Sequence, residues 1–290
     1  MGDLQVQIAP VMLALAHVLL GVIVLVVAKL LKGWISPYRM DEELTSRDNP
    51  AFGLALAGYY LAVVIVFIAA ARAQAVPLDA GTQGALTAFG LDMAWAVGGI
   101  LALGLSRFIM DRTLVTRCCQ SDEIVKNRNV AAGAVECGVY LASGIVIAGA
   151  LREPGGTIVT TLVFFALSQI ILLVFGKAYE RVVGYDIARE IRSGNLAAGV
   201  ALGLTLVAIS LLMLKALSGE FLDWGTNLTY FAFDAVVGFG LLLLLRWVVD
   251  LVLLPNARIA DEISRDRNVN VGLLEGVLSA GVAAIILMVF

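Results

Sequence analysis

Eight runs of roughly 20 apolar residues, near 8–30, 50–71, 86–106, 130–151, 157–176, 196–217, 227–245 and 269–290, leave this chain few folds to choose from. At a helical rise of about 1.5 Å per residue, each run crosses a hydrocarbon core of about 30 Å. The runs therefore predict an all-α integral membrane protein with eight transmembrane helices. Composition points the same way, since 60% of the 290 residues are hydrophobic, only 15% are charged, and the mean hydropathy is +0.94. Asp3 and the lack of Lys or Arg before the first run, with no small-residue cleavage site after it, argue against a cleavable leader, so the first span is expected to stay.

The basic residues set the orientation. Of 20 Lys and Arg, all but Arg72, Arg152 and Lys215 fall in or beside the four loops that join spans 1 to 2, 3 to 4, 5 to 6 and 7 to 8. The positive-inside rule places those loops in the cytoplasm, with both termini outside. Asp and Glu are interleaved with the basic residues, and the net charge of −3 gives nucleic acid no footing as a partner. The partner expected is the lipid bilayer. Cys118, Cys119 and Cys137 have no metal-binding spacing and read as reduced thiols. His17 stands alone in span 1 and reads as a core or interface residue. Neither a metal nor a cofactor is expected, and the oligomeric state is left open.

A phrase recurs before alternate spans: "SRDNPAFG" (46–53), "KNRNVAAG" (126–133), "IRSGNLAAG" (191–199) and "SRDRNVNVG" (265–272). Each copy follows a Glu-aliphatic step, Glu43-Leu44, Glu123-Ile124, Glu190-Ile191 and Glu262-Ile263, and each puts Gly four residues after Asn. The chain thus consists of four two-span units. A second repetition is stricter: Arg107, Asp111, Glu123, Asn129, Gly133 and Glu136 return 139 residues later as Arg246, Asp250, Glu262, Asn268, Gly272 and Glu275. The expected domains are 1–152 and 153–290, each of two units. Every unit starts on the same side, so the repeats are parallel and related by a pseudo-twofold axis along the membrane normal.

The stretches "NVAAGAVECGVYLASG" and "NLAAGVALGLTLVAI" resemble the bacterial YjfL-like inner-membrane family, the domain of unknown function 350, over nearly the whole chain as two tandem four-span copies. The resemblance implies a bacterial inner (plasma) membrane location and the tandem architecture, and hints at a link to envelope stress or polyamines. It implies no chemistry.

Asn49, Asn129, Asn195 and Asn268 stand where helix N-caps are needed, because the first N–H groups of a helix have no internal partner and Asn accepts from them well. Pro50 suits the first helical position. Asn keeps two amide donors beyond the cap, which at a cytoplasmic mouth are free for an anionic group, a substrate carboxylate or another loop. Gly53, Gly133, Gly199 and Gly272, with Gly58, Gly138, Gly203 and Gly276, read as close helix contacts.

Asp92, Glu136, Asp234 and Glu275 lie inside spans, where a carboxylate costs roughly 3 kcal/mol and usually has a role. Glu136 and Glu275 follow their Asn by seven residues, on the same helix face and about 10 Å deeper; Leu56 and Leu202 hold the matching places in the other two units. The expectation is a pseudo-twofold proton or cation site at the Glu pair, with Asp92 and Asp234 on its outer approach. Arg107 and Arg246 are expected to pair with Asp111 and Asp250 along their own helices. A transporter or channel for a cation or proton is the leading function. The other is a non-transporting scaffold or sensor that recruits a cytoplasmic partner through the four loops. Paired His, a nucleophile with its base, HExxH and a phosphate-binding glycine loop are all missing, so no enzyme is expected.

Overall fold

The computed structural model describes residues 2–73, 81–113, 121–151, 156–253 and 257–289, and every regular element among them is a helix. Eight are long and apolar enough to cross a membrane: α1 (Gly2–Ile35), α3 (Pro50–Ala73), α4 (Gly81–Thr113), α6 (Val130–Leu151), α7 (Ile158–Val182), α9 (Leu196–Ala216), α10 (Trp224–Leu253) and α12 (Val269–Val289). Short helices α2 (Met40–Leu44), α5 (Ser121–Val125), α8 (Ile187–Arg192) and α11 (Ile259–Ser264) lead into α3, α6, α9 and α12. They define a loop side of the molecule. Cys118 and Cys119 lie outside the described residues; Cys137 is a half-buried free thiol on α6.

The four signature helices pack side by side in chain order, α3 on α6, α6 on α9 and α9 on α12. The other four lie over the grooves of this row, α4 on α3 and α6, α7 on α6 and α9, α10 on α9 and α12, with α1 against α3 and α4. The row is open, because α12 does not return to pack on α3.

Small residues make the row possible. Helices in lipid gain little from apolar burial against each other and associate through close packing and hydrogen bonds. A Cβ on Gly133 would sit 2.4 Å from the carbonyl oxygen of Ala51. The same contact recurs for Gly199 on Ala131 at 2.5 Å and Gly272 on Ala197 at 2.4 Å. Backbone touches backbone at each step, so the described helices of the row pack closely against one another. The central helices α6 and α9 are buried along 78% and 72% of their apolar stretches.

Each loop enters its signature helix through one left-handed residue, directly before the Asn. These are Asp48 (φ 45°), Arg128 (φ 50°), Gly194 (φ 77°) and Arg267 (φ 52°). The reversal lets the Asn N–H return to the carbonyl of the repeat's own Glu, as in Asn129 to Glu123 at 3.0 Å and Asn195 to Glu190 at 3.0 Å.

Candidate functional site

The Asn side chains cap their helices and also tie the repeats together. The Asn129 Oδ1 accepts from Ala132 N–H at 3.2 Å, and the Asn195 Oδ1 from Ala197 and Ala198 at 3.1 and 3.4 Å. The amide then reaches into the next repeat: Asn49 donates to the Ile124 carbonyl at 3.0 Å, Asn129 to Ile191 at 2.8 Å and Asn195 to Ile263 at 2.7 Å. Asn49, Asn195 and Asn268 donate to their own Glu43, Glu190 and Glu262 as well. Ser or Asp would cap but could not supply this amide. The donors left over from capping are spent on stitching one short helix to the next, and do not point into a mouth.

The intramembrane acids do not meet. Glu136 is on α6 and Glu275 on α12, and α9, with the buried Leu202, stands between them. Along the row the position reads Leu56, Glu136, Leu202, Glu275, so acids alternate with leucines and the expected shared site becomes two separate ones. Each Glu instead takes the Arg of its own domain.

In the first domain Arg107 crosses from α4 to Glu136, with Nε 3.0 Å from Oε1 and Nη2 donating to Oε2 at 3.1 Å. Asp111 is 3.7 Å from the same guanidinium, so the expected helix-face pair survives only as the weaker contact. The reason is depth: Glu136 is 4% exposed, so its charge needs a partner within the protein, and the long Arg side chain turns inward to it. Beside this pair, Lys32 donates to the Tyr140 hydroxyl at 2.8 Å and lies 4.6 Å from the ring centroids of Tyr59 and Tyr140. A cleft of about 370 Å³ opens here, lined by Lys32, Tyr38, Arg107, Ser121 and Tyr140 with apolar Ile100 and Leu105. Burial pushes the Tyr38 phenol above its usual range.

The second domain repeats the plan with altered parts. Arg246 on α10 contacts Glu275 and donates to the Tyr179 hydroxyl at 2.7 Å, while that hydroxyl donates to Glu275 Oε1 at 2.8 Å. Tyr179 stands where Lys32 does and Tyr185 where Tyr38 does, each 147 residues on, the same offset as Glu43 to Glu190. The Tyr185 hydroxyl is buried without a hydrogen-bond partner among the described residues, and burial pushes it up to about 12. The side chain of Asp250, expected to hold Arg246, lies outside the described residues.

Asp92 and Asp234 are apart too. Asp92, wholly buried on α4, faces His17 of α1, whose Nε2 is 3.6 Å from Oδ2. His17 is therefore not alone: its ring sits edge-on to Phe89, and its Nδ1 bonds the Leu13 carbonyl at 2.9 Å. Asp234 lies 3.7 Å from Lys215 in a cleft between α9 and α10. One acid belongs to the α1–α4 seam and the other to the α9–α10 seam, with no common approach. Lys32, Tyr140, Tyr179 and Tyr185 escaped the sequence reading. The 147-residue offset links Tyr38 to Tyr185 and could have found them, but Lys32 has Tyr179 at that offset and Tyr140 has Ser279 at the offset of 139, so neither left a trace.

These features define a multi-pass α-helical membrane protein made of two copies of a four-span domain, each with a buried Arg–Glu pair. The chain belongs to the family Domain of Unknown Function (DUF350), whose model matches it twice, over residues 5–151 and 155–290. It is also similar to a "UPF0719 transmembrane protein" of Aquifex aeolicus (strain VF5), 20% identical over 233 residues that span 78% of this chain and 80% of that one. No solved structure matches it.

Proposed function

We propose that this protein is a membrane scaffold. Its helix row holds the four short helices in fixed register on the cytoplasmic face, where a soluble partner docks, and no ion crosses along the row. The observation that supports this reading is the Asn stitch, which bonds each short helix to the one before it and so makes four loops into one rigid edge. Ile124, Ile191 and Ile263 anchor that edge from below. Asp41, Asp122, Arg189 and Asp261 are exposed on its outer face, a mixed-charge surface suited to a polar protein partner. With the basic loops inside, both termini lie outside.

A photo-reactive amino acid at Asp122 or Asp261 tests this in living cells. We expect both positions to yield an adduct with the same soluble protein, and the lipid-facing Leu101 to yield none. Equal labelling at all three would remove the scaffold.

One observation favours proton movement as a second reading. Because His17 Nδ1–H is committed to the Leu13 carbonyl, the ring offers Asp92 a lone pair unless Nε2 is protonated, and no donor among the described residues reaches either Asp92 oxygen. The two groups thus face each other at 3.6 Å with room for a shared proton between them. Proton uptake by proteoliposomes that Asp92→Asn abolishes would favour this reading over the first.

A further inference from the structure

The helix row ends at both sides with an unmet half of the contact it repeats internally. Three times within the chain, a Gly four residues after the signature Asn receives the residue two after the previous Asn: Gly133 takes Ala51, Gly199 takes Ala131, Gly272 takes Ala197. Gly53, the first in the series, has only a Leu44 side-chain carbon at 3.9 Å. At the other end, Asn270 is the exposed residue with no Gly to enter.

The remaining layers of the interface run out in the same register. Gly58 lies on Cys137 and Gly138 on Gly203, and by the same count Val277 would lie on Ala57; both are exposed. Gly144 lies on Ala62, and by count Val64 falls opposite Gly281, which has open space around it. Here the larger residue has moved to α3 and the smaller to α12, so the fit is kept. The polar stitch is unmet too: Asn268, unlike the buried Asn49, Asn129 and Asn195, is half-exposed, and among the described residues its amide donates only to its own Glu262. The acceptor it lacks corresponds to the carbonyl of Leu44, which no donor reaches among the described residues. The residues before the two Asn, Arg267 and Asp48, carry opposite charge.

The outer helices agree. α4, α7 and α10 each lie over a groove between two signature helices and are buried along 28%, 28% and 29% of their apolar stretches. α1 has one such wall, α3, and is buried along 11%. An open apolar groove runs between α1 and α3, lined by Gly21, Leu25, Val64 and Ile68 among others, where the second wall would stand.

We propose that the row continues from one copy of the chain into the next, with α12 of one copy docked on α3 and under α1 of its neighbour. The interface is heterologous, so copies form a ring if the rotation closes and a chain of molecules if it does not. It extends the contact seen at α3–α6, α6–α9 and α9–α12 and stands apart from the scaffold reading: it holds whether or not a soluble partner binds.

Disulfide trapping in membranes of expressing cells tests this directly, on a chain whose Cys118, Cys119 and Cys137 are changed to Ser. Ala57 and Val277 of one chain are three helix spacings apart, about 25 Å, far beyond disulfide reach. We expect Ala57→Cys alone and Val277→Cys alone to give no dimer under oxidant. Co-expression of the two should give a dimer, and the double variant multimers or a closed ring. Ala57→Trp in the unmodified chain should lower the native mass to one copy while the protein stays folded. Dimers from either single variant would show a symmetric interface and overturn the proposal, as would a double variant that stays monomeric or an Ala57→Trp chain of unchanged mass.

Discussion

At the residue scale, the signature Asn does three jobs, and its four copies do not do them equally. Asn129 caps α6 and bonds the next repeat while buried, so Asn129→Ala loses a cap and leaves the Ile191 carbonyl without its donor. Thermal or denaturant unfolding should show a loss of about 2 kcal/mol. Within one chain the Asn268 amide donates only to its own Glu262 among the described residues, so Asn268→Ala should cost about half of that in a chain kept to a single copy by Ala57→Trp. A similar asymmetry separates breaking the Arg–Glu pair from removing it. Arg107→Met strands Glu136 and should cost about 3–5 kcal/mol, whereas Arg107→Met with Glu136→Leu should recover most of the loss, since Leu already fills that place on α3 and α9. Tyr185 supplies a pH handle. Its folded pKa is about 12 and its unfolded value about 10, so the stability it contributes is present below pH ~10 and lost as pH rises towards 12. Tyr185→Phe should flatten that alkaline limb, and at neutral pH it should be neutral or slightly stabilising because the hydroxyl has no partner to lose.

At the element scale, the glycine steps of the row control how closely helices approach. Gly199→Ala places a methyl 2.5 Å from the Ala131 carbonyl oxygen, and since backbone cannot yield as a side-chain tip can, the helices must part. We expect a drop of about 1–3 kcal/mol, measured against Gly240→Ala on α10, where a Cβ meets nothing within 4 Å and the change should be near neutral. This is also where the sequence spoke most clearly. Span number, the four repeats and the close packing of Gly133, Gly199 and Gly272 could be read because they follow from apolar length and from residues at fixed intervals. Where the Glu side chains went could not be read. The offset of 139 shows that Glu136 and Glu275 are equivalent, but equivalence is not proximity. Whether equivalent residues face one axis depends on the order in which helices pack, and an open row keeps every second helix apart. The pairing of His17 with Asp92 was hidden for the same reason: it joins α1 to α4, 75 residues away, and periodicity along one helix says nothing about the neighbour across the seam.

At the scale of the whole molecule, the open row unites the observations. It explains why α6 and α9 are more deeply buried than α3 and α12, why acids alternate with leucines along it, and why the short helices form one continuous edge. Backbone contacts pack the described helices of the row closely, and each buried Glu is paired with an Arg; on the scaffold reading proposed above, neither acid serves a cation path. The most direct measurement is therefore flux of protons, sodium and potassium into liposomes containing the purified protein, beside the Glu136→Gln, Glu275→Gln double variant at matched reconstitution. We expect both to match empty liposomes, with the variant differing only in stability. Saturable flux in the unmodified protein that the folded double variant loses would contradict the scaffold and put the acids on a conduction path.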